Sequence, residues 1–145
     1  MSGRSCLKAL LLAGIFLPLT SCINDNPSLT SIVIMPNGVT AALGTCGYPQ
    51  VVTGLKAIGH YSHPGHADIT KDITDEVTWY SFNTGMVAFL DPTNNPGVAT
   101  VTTCADPTVP GNIYTTLITA SAPGFHGLVT GEITFGVQEP PKPTT

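Results

Sequence analysis

Three histidines recur at every third position, His60, His63 and His66, with Asp68 two residues further on. Imidazole is the commonest transition-metal ligand, and three rings plus a carboxylate within nine residues are a donor set for Zn²⁺ or Cu²⁺. Against a metal stands the local sequence. Pro64-Gly65 separates the second ring from the third, which makes the segment a loop, and on an extended chain odd spacing sends His60 and His63 to opposite faces. A solvated polar loop is therefore the competing reading, and the spacing favours it. A second group, Asp68, Asp72, Asp75 and Glu76, is a carboxylate set of the kind that holds Ca²⁺ when carbonyls complete the shell. It lacks the alternating acids of an EF-hand loop, and Asp and Thr are ordinary turn formers. The chain has no Gly-x-Ser-x-Gly elbow, no His-Glu-x-x-His, no phosphate loop and no dinucleotide fingerprint. No catalytic residue and no cofactor are expected.

These side chains need strands to position them. Val, Ile, Thr, Gly and Pro are abundant, and no helical period persists along the chain. Alternation predicts strands over residues 31–35, 39–42, 50–61, 77–82, 86–91, 98–103, 112–122 and 128–137, with Pro36-Asn37-Gly38, Asn94-Asn95-Pro96-Gly97 and Pro123-Gly124 as breaks. Seven or eight short strands in about 110 residues point to an antiparallel β-sandwich. Trp79, the sole tryptophan, is expected inside it as a core anchor. Tyr80 then faces outward and is the best candidate for surface recognition.

The N-terminus carries a different chemistry. Arg4 and Lys8 precede an apolar run over residues 9–18, too short to span a bilayer. Leu19-Thr20-Ser21-Cys22 follows and resembles the lipobox of bacterial lipoprotein signal peptides. The resemblance implies that residues 1–21 are removed and that Cys22 becomes a mature N-terminus bearing acyl chains such as palmitate. This covalent lipid would be the only non-protein group. More than one chain makes attachment lasting. Ile23 follows Cys22 where an Asp would retain an enteric lipoprotein in the inner membrane, so the implied destination is the outer membrane. Residues 22–28, with Asn24, Asp25, Asn26 and Pro27, read as a lipidated tether. Residues 29–137 form the module, and residues 138–145, with three prolines, an extended mobile tail.

Beyond residue 21 the chain keeps three lysines, no arginine and nine acids, a net charge of −6 with His neutral. Such a chain cannot neutralise a phosphate backbone, so nucleic acid is not an expected partner. Cys46 and Cys104 remain once Cys22 is spent on lipid. In an oxidising compartment two thiols most often pair, which would contribute about 4 kcal/mol by loop closure. Two separate buried thiols are the alternative.

Several segments also carry a family likeness: Thr30-Ser31-Ile32-Val33-Ile34, Leu55-Lys56-Ala57-Ile58-Gly59, Asp72-Ile73-Thr74 leading into Val77-Thr78-Trp79, Ser81 and Asn83 before Val87-Ala88, Ile118-Thr119-Ala120, and Ile133-Thr134-Phe135. In this order they resemble the bacterial immunoglobulin-like domain, group 2. The link from Cys104 to Gly111 is longer and richer in proline than that family's turn, and the cysteine pair is not typical of it. The resemblance implies an immunoglobulin-like sandwich of about seven strands on the cell envelope, with an adhesive or structural role in contact with protein or glycan. An envelope protein binding a metal or small ligand through residues 60–76 is the alternative.

Overall fold

The computed structural model describes residues 26–43, 48–101 and 111–141. The signal segment, Cys22, Cys46 and Cys104 lie outside the described residues, so the lipid and disulfide expectations concern positions beyond them.

The described chain is all β, in the order β1 (Ser28–Met35), β2 (Val39–Ala42), β3 (Gln50–Val52), β4 (Lys56–Ser62), β5 (Ile69–Asp72), β6 (Thr78–Ser81), β7 (Val87–Ala88), β8 (Ala99–Val101), β9 (Ile113–Gly124) and β10 (Gly127–Gln138). They form three sheets, ordered β1-β4-β5, β2-β10-β9-β6 and β3-β8-β7. Every pairing is antiparallel except that of β2 with β10. The arrangement is that of a β-sandwich. Its core holds Ile34, Ile73, Ile118, Phe135 and Val137, all at most 1% exposed. β1 lies so close over β10 that a Cβ on Gly131 would stand 2.4 Å from the Ile32 carbonyl oxygen. A side chain there would push the two layers apart.

The layers follow from alternation. On β9, Thr116, Ile118, Ala120 and Ala122 turn inward, and on β10 Ile133, Phe135 and Val137 do the same. Residues spaced by two share a face of the pleat. Burying such a face supplies about 25 cal/mol per Å² of apolar surface.

Several strands differ from their sequence expectation, among them the one over residues 86–91, of which only Val87–Ala88 forms a strand. The single strand expected over residues 50–61 is two, because Gly54 adopts a positive φ of 88°. The chain bends there, and β3 pairs with β8 while β4 pairs with β1 and β5. β5 is an addition: all four of its residues are exposed, so burial imposes no alternation on its sequence. β9 runs through Pro123-Gly124, where a break is expected. β6 accompanies β9 only as far as Ser121, so Pro123 has a strand neighbour on the β10 side alone, opposite Leu128. A missing N–H is tolerated on such a free edge. At the outer limits, β1 starts at Ser28 and β10 extends through Gln138, after which the Glu139 amide donates to the Asn112 carbonyl at 2.8 Å.

Candidate functional site

The two titratable clusters lie in consecutive connections of the chain and are built differently. His60 sits on β4, opposite Ser31 of β1 and Thr70 of β5. Its backbone carbonyl accepts a hydrogen bond from the Thr30 hydroxyl at 3.0 Å. Beyond β4 the chain turns at Pro64-Gly65, with Gly65 at φ 79°, and the His66 amide donates to the His63 carbonyl at 2.9 Å. That turn folds the His66 ring onto His63, with centroids 4.2 Å apart and planes inclined by 25°. His63 Nε2 is buried and has no hydrogen-bond partner among the described residues. Asp68 is exposed. The structure thus pairs two of the imidazoles, and among the described residues no three His, Cys, Asp or Glu side chains gather to hold a metal ion.

Two acids of the following turn, Asp72 and Glu76, have partners. Asp72 accepts from the Thr74 amide at 3.1 Å and the Thr74 hydroxyl at 2.5 Å, and its other oxygen lies 3.2 Å from Lys56 Nζ. The Thr74 hydroxyl above all, then the Thr74 amide and Lys56, hold the Asp72 carboxyl below its ordinary range. Lys71 pairs with Glu76, and that hydrogen bond raises the ammonium above its ordinary value. Thr74 is the hub that sequence reading missed. Its hydroxyl oxygen also accepts from the Ala57 amide at 3.0 Å, and its carbonyl accepts from the Trp79 indole at 3.1 Å. The sequence signal was present: Asp-x-Thr is an Asx-turn pattern. Asp72 therefore serves to set the turn that seats the tryptophan.

Trp79 is 5% exposed and stacks on Phe89, ring centroids 5.4 Å apart. Its neighbour on β6, Tyr80, is 53% exposed and meets Phe82 edge to face at 5.4 Å. Phe82 is another residue the sequence reading passed over, although it continues the same face by a step of two. Tyr80 lies beside Thr119 of β9, which lies beside Glu132 of β10. Next along the sheet, Thr78 is paired with Ser121, whose hydroxyl is 3.0 Å from that of Thr130. The outer face of the four-stranded sheet thus carries two exposed aromatic rings beside hydroxyls and one carboxylate. Aromatic faces bordered by hydrogen-bonding groups suit contact with glycan rings and protein side chains.

At one end of the sandwich the β9–β10 hairpin projects Phe125, His126 and Leu128. Phe125 is 69% and Leu128 72% exposed, and the His126 ring stands edge-on to Phe125 at 4.8 Å. Shallow hollows beside them are lined by Asn26, Ser28, Tyr61 and Pro64.

No protein-family model matches the chain, and no curated protein matches it significantly.

Proposed function

We propose that this chain is a non-catalytic, lipid-anchored module of a bacterial cell envelope. In this reading it is an immunoglobulin-like sandwich that presents the outer face of its four-stranded sheet to an envelope protein or glycan. The observation that carries the recognition role is the exposed ring pair of Tyr80, on a strand whose other face is fixed by Trp79, and Phe82 just past that strand's end. A rigid aromatic platform loses little side-chain entropy on binding. The anchoring role rests on Leu19-Thr20-Ser21-Cys22 after a short apolar run, with the outer membrane as its destination. The immunoglobulin-like identity is supported by the family likeness and by the strand order, in which β2 runs parallel to β10 and β9 lies between β10 and β6.

Two measurements test the reading. The intact mass of the chain expressed with residues 1–21 is expected to show their loss and acyl groups on Cys22, both absent in Cys22→Ser. Binding of the acylated protein to purified envelope glycan and to envelope protein extracts is expected to weaken at least tenfold in Y80A/F82A. Unchanged binding removes the platform, and an unmodified Cys22 removes the anchor.

A second reading, ligand or metal binding by residues 60–76, draws on one observation, the Nε2 of His63 beside His66, which has no partner among the described residues. Calorimetry with Zn²⁺ and Cu²⁺ decides it, through a stoichiometric heat abolished by His63→Ala.

A further inference from the structure

We infer that the tip of the β9–β10 hairpin is a second membrane contact, with Phe125 and Leu128 entering the lipid interface beside the anchor. This rests on the reading that Cys22 is acylated, and it adds how the domain is held against the bilayer.

Chain length supplies the first argument. Asn26 lies against the hairpin, lining hollows shared with Phe125 and His126. Cys22 is four residues before Asn26, and four peptide steps span at most about 14 Å. Acyl chains on Cys22 therefore hold this end of the sandwich within that distance of the lipid. The opposite end is remote: β10 starts at Gly127 and ends at Gln138, so at about 3.3 Å per residue its far end lies about 36 Å away.

The second argument is the chemistry of the tip. Phe125 and Leu128 are among the most exposed large apolar side chains described. Phe125 lies in the two-residue turn Phe125-His126 and Leu128 just after it, beside the start of β1, whose Ser28, Leu29 and Thr30 line a hollow with them. Aromatic and Leu side chains of this kind settle at the headgroup boundary.

The third argument is charge. Beyond residue 21 the chain carries nine acids against three lysines, so most of its surface is unsuited to an anionic leaflet. Apart from the His126 imidazole, none of the residues lining the hairpin hollows is acidic or basic. The apolar tip coincides with hollows whose lining holds no Asp, Glu, Lys or Arg, and with the point where the described chain begins at Asn26.

The sole tryptophan makes the test direct, because Trp79 is buried and serves as a blank. Full-length protein, processed and acylated in cells, is reconstituted into phosphatidylethanolamine–phosphatidylglycerol vesicles with plain or brominated acyl chains. Emission is compared for the wild type and for Phe125→Trp, Leu128→Trp and Phe82→Trp. Phe82 adjoins Leu117, about 25 Å along β9 from the tip. The expected result is a blue shift in F125W and L128W, with quenching by brominated lipid several-fold greater than in F82W or the wild type. Protein that floats with the vesicles and carries acyl groups on Cys22, but whose F125W and L128W emission is quenched no more than that of F82W, overturns this inference and leaves the anchor standing. Protein that neither carries acyl groups nor floats overturns both.

Discussion

The connection after β4 and the connection after β5 are both crowded with titratable side chains, yet only one is wired. Around residues 72–76, Asp72 and Thr74 join Lys56 and the Ala57 amide of β4 in a set of hydrogen bonds and an ion pair that extends to the Trp79 indole. In residues 63–68, two imidazoles stack on each other across a backbone turn, and the buried His63 nitrogen has no partner among the described residues. The contrast teaches that density of ionisable residues is a poor guide to their role. What distinguishes the two regions is whether a side chain reaches back to a strand. Thr74 reaches β4 through Ala57 and β6 through Trp79. Among the described residues, the His63 ring stacks on His66 of its own loop.

The largest effect belongs to the wired side. Trp79→Ala should cost about 3–5 kcal/mol, because it empties a core site stacked on Phe89 and removes the donor to Thr74. Urea unfolding followed by circular dichroism reads this, and a loss below 1 kcal/mol would show that the indole is not an anchor. Thr74→Val comes next. It keeps the shape but leaves the Ala57 amide and Asp72 without the hydroxyl, for a loss of about 1–3 kcal/mol. An unchanged unfolding midpoint would break the claim that Thr74 is the hub.

A smaller effect depends on pH. The Asp72 carboxyl is lowered from 3.8 in the folded chain, so the folded state binds its proton less readily than the unfolded state. Its stabilisation is full above that unfolded value and is lost as pH falls through the depressed folded value. Acid titration of the unfolding midpoint should therefore be shallower in Asp72→Asn than in the wild type below about pH 4. Parallel curves would remove Asp72 from the network. The smallest effect is expected on the unwired side. His63→Phe keeps a flat ring against His66 and deletes the unpartnered nitrogen, so stability should hold or rise by up to about 1 kcal/mol. A loss of more than that would reveal a partner for His63 and sharpen the metal reading.

Much of the architecture was legible beforehand. The alternation in residues 112–122 and 128–137 identified the two longest strands, because each buries one face and leaves the other in water. Trp79 and Tyr80 were assigned opposite sides of β6 for the same reason. β5 was not legible, since a strand exposed on both faces leaves no periodic trace. The break at Gly54 was missed because alternation reports which face is buried, and not which neighbour a strand pairs with. Phe82 was legible in principle, two residues beyond Tyr80, but its contact with that ring becomes visible only when the chain leaves β6.

By itself the sequence determined the all-β class, the inward and outward faces of the long strands, and the acidic charge that argues against nucleic acid. These are local properties, fixed by side-chain type and a period of two. Tertiary structure alone decided that Asp72 serves a tryptophan, that two of three histidines meet, and that Phe125 and Leu128 share one end with Asn26. Those facts depend on which distant strands become neighbours, and pairing is settled by packing of the two layers rather than by any segment's own composition.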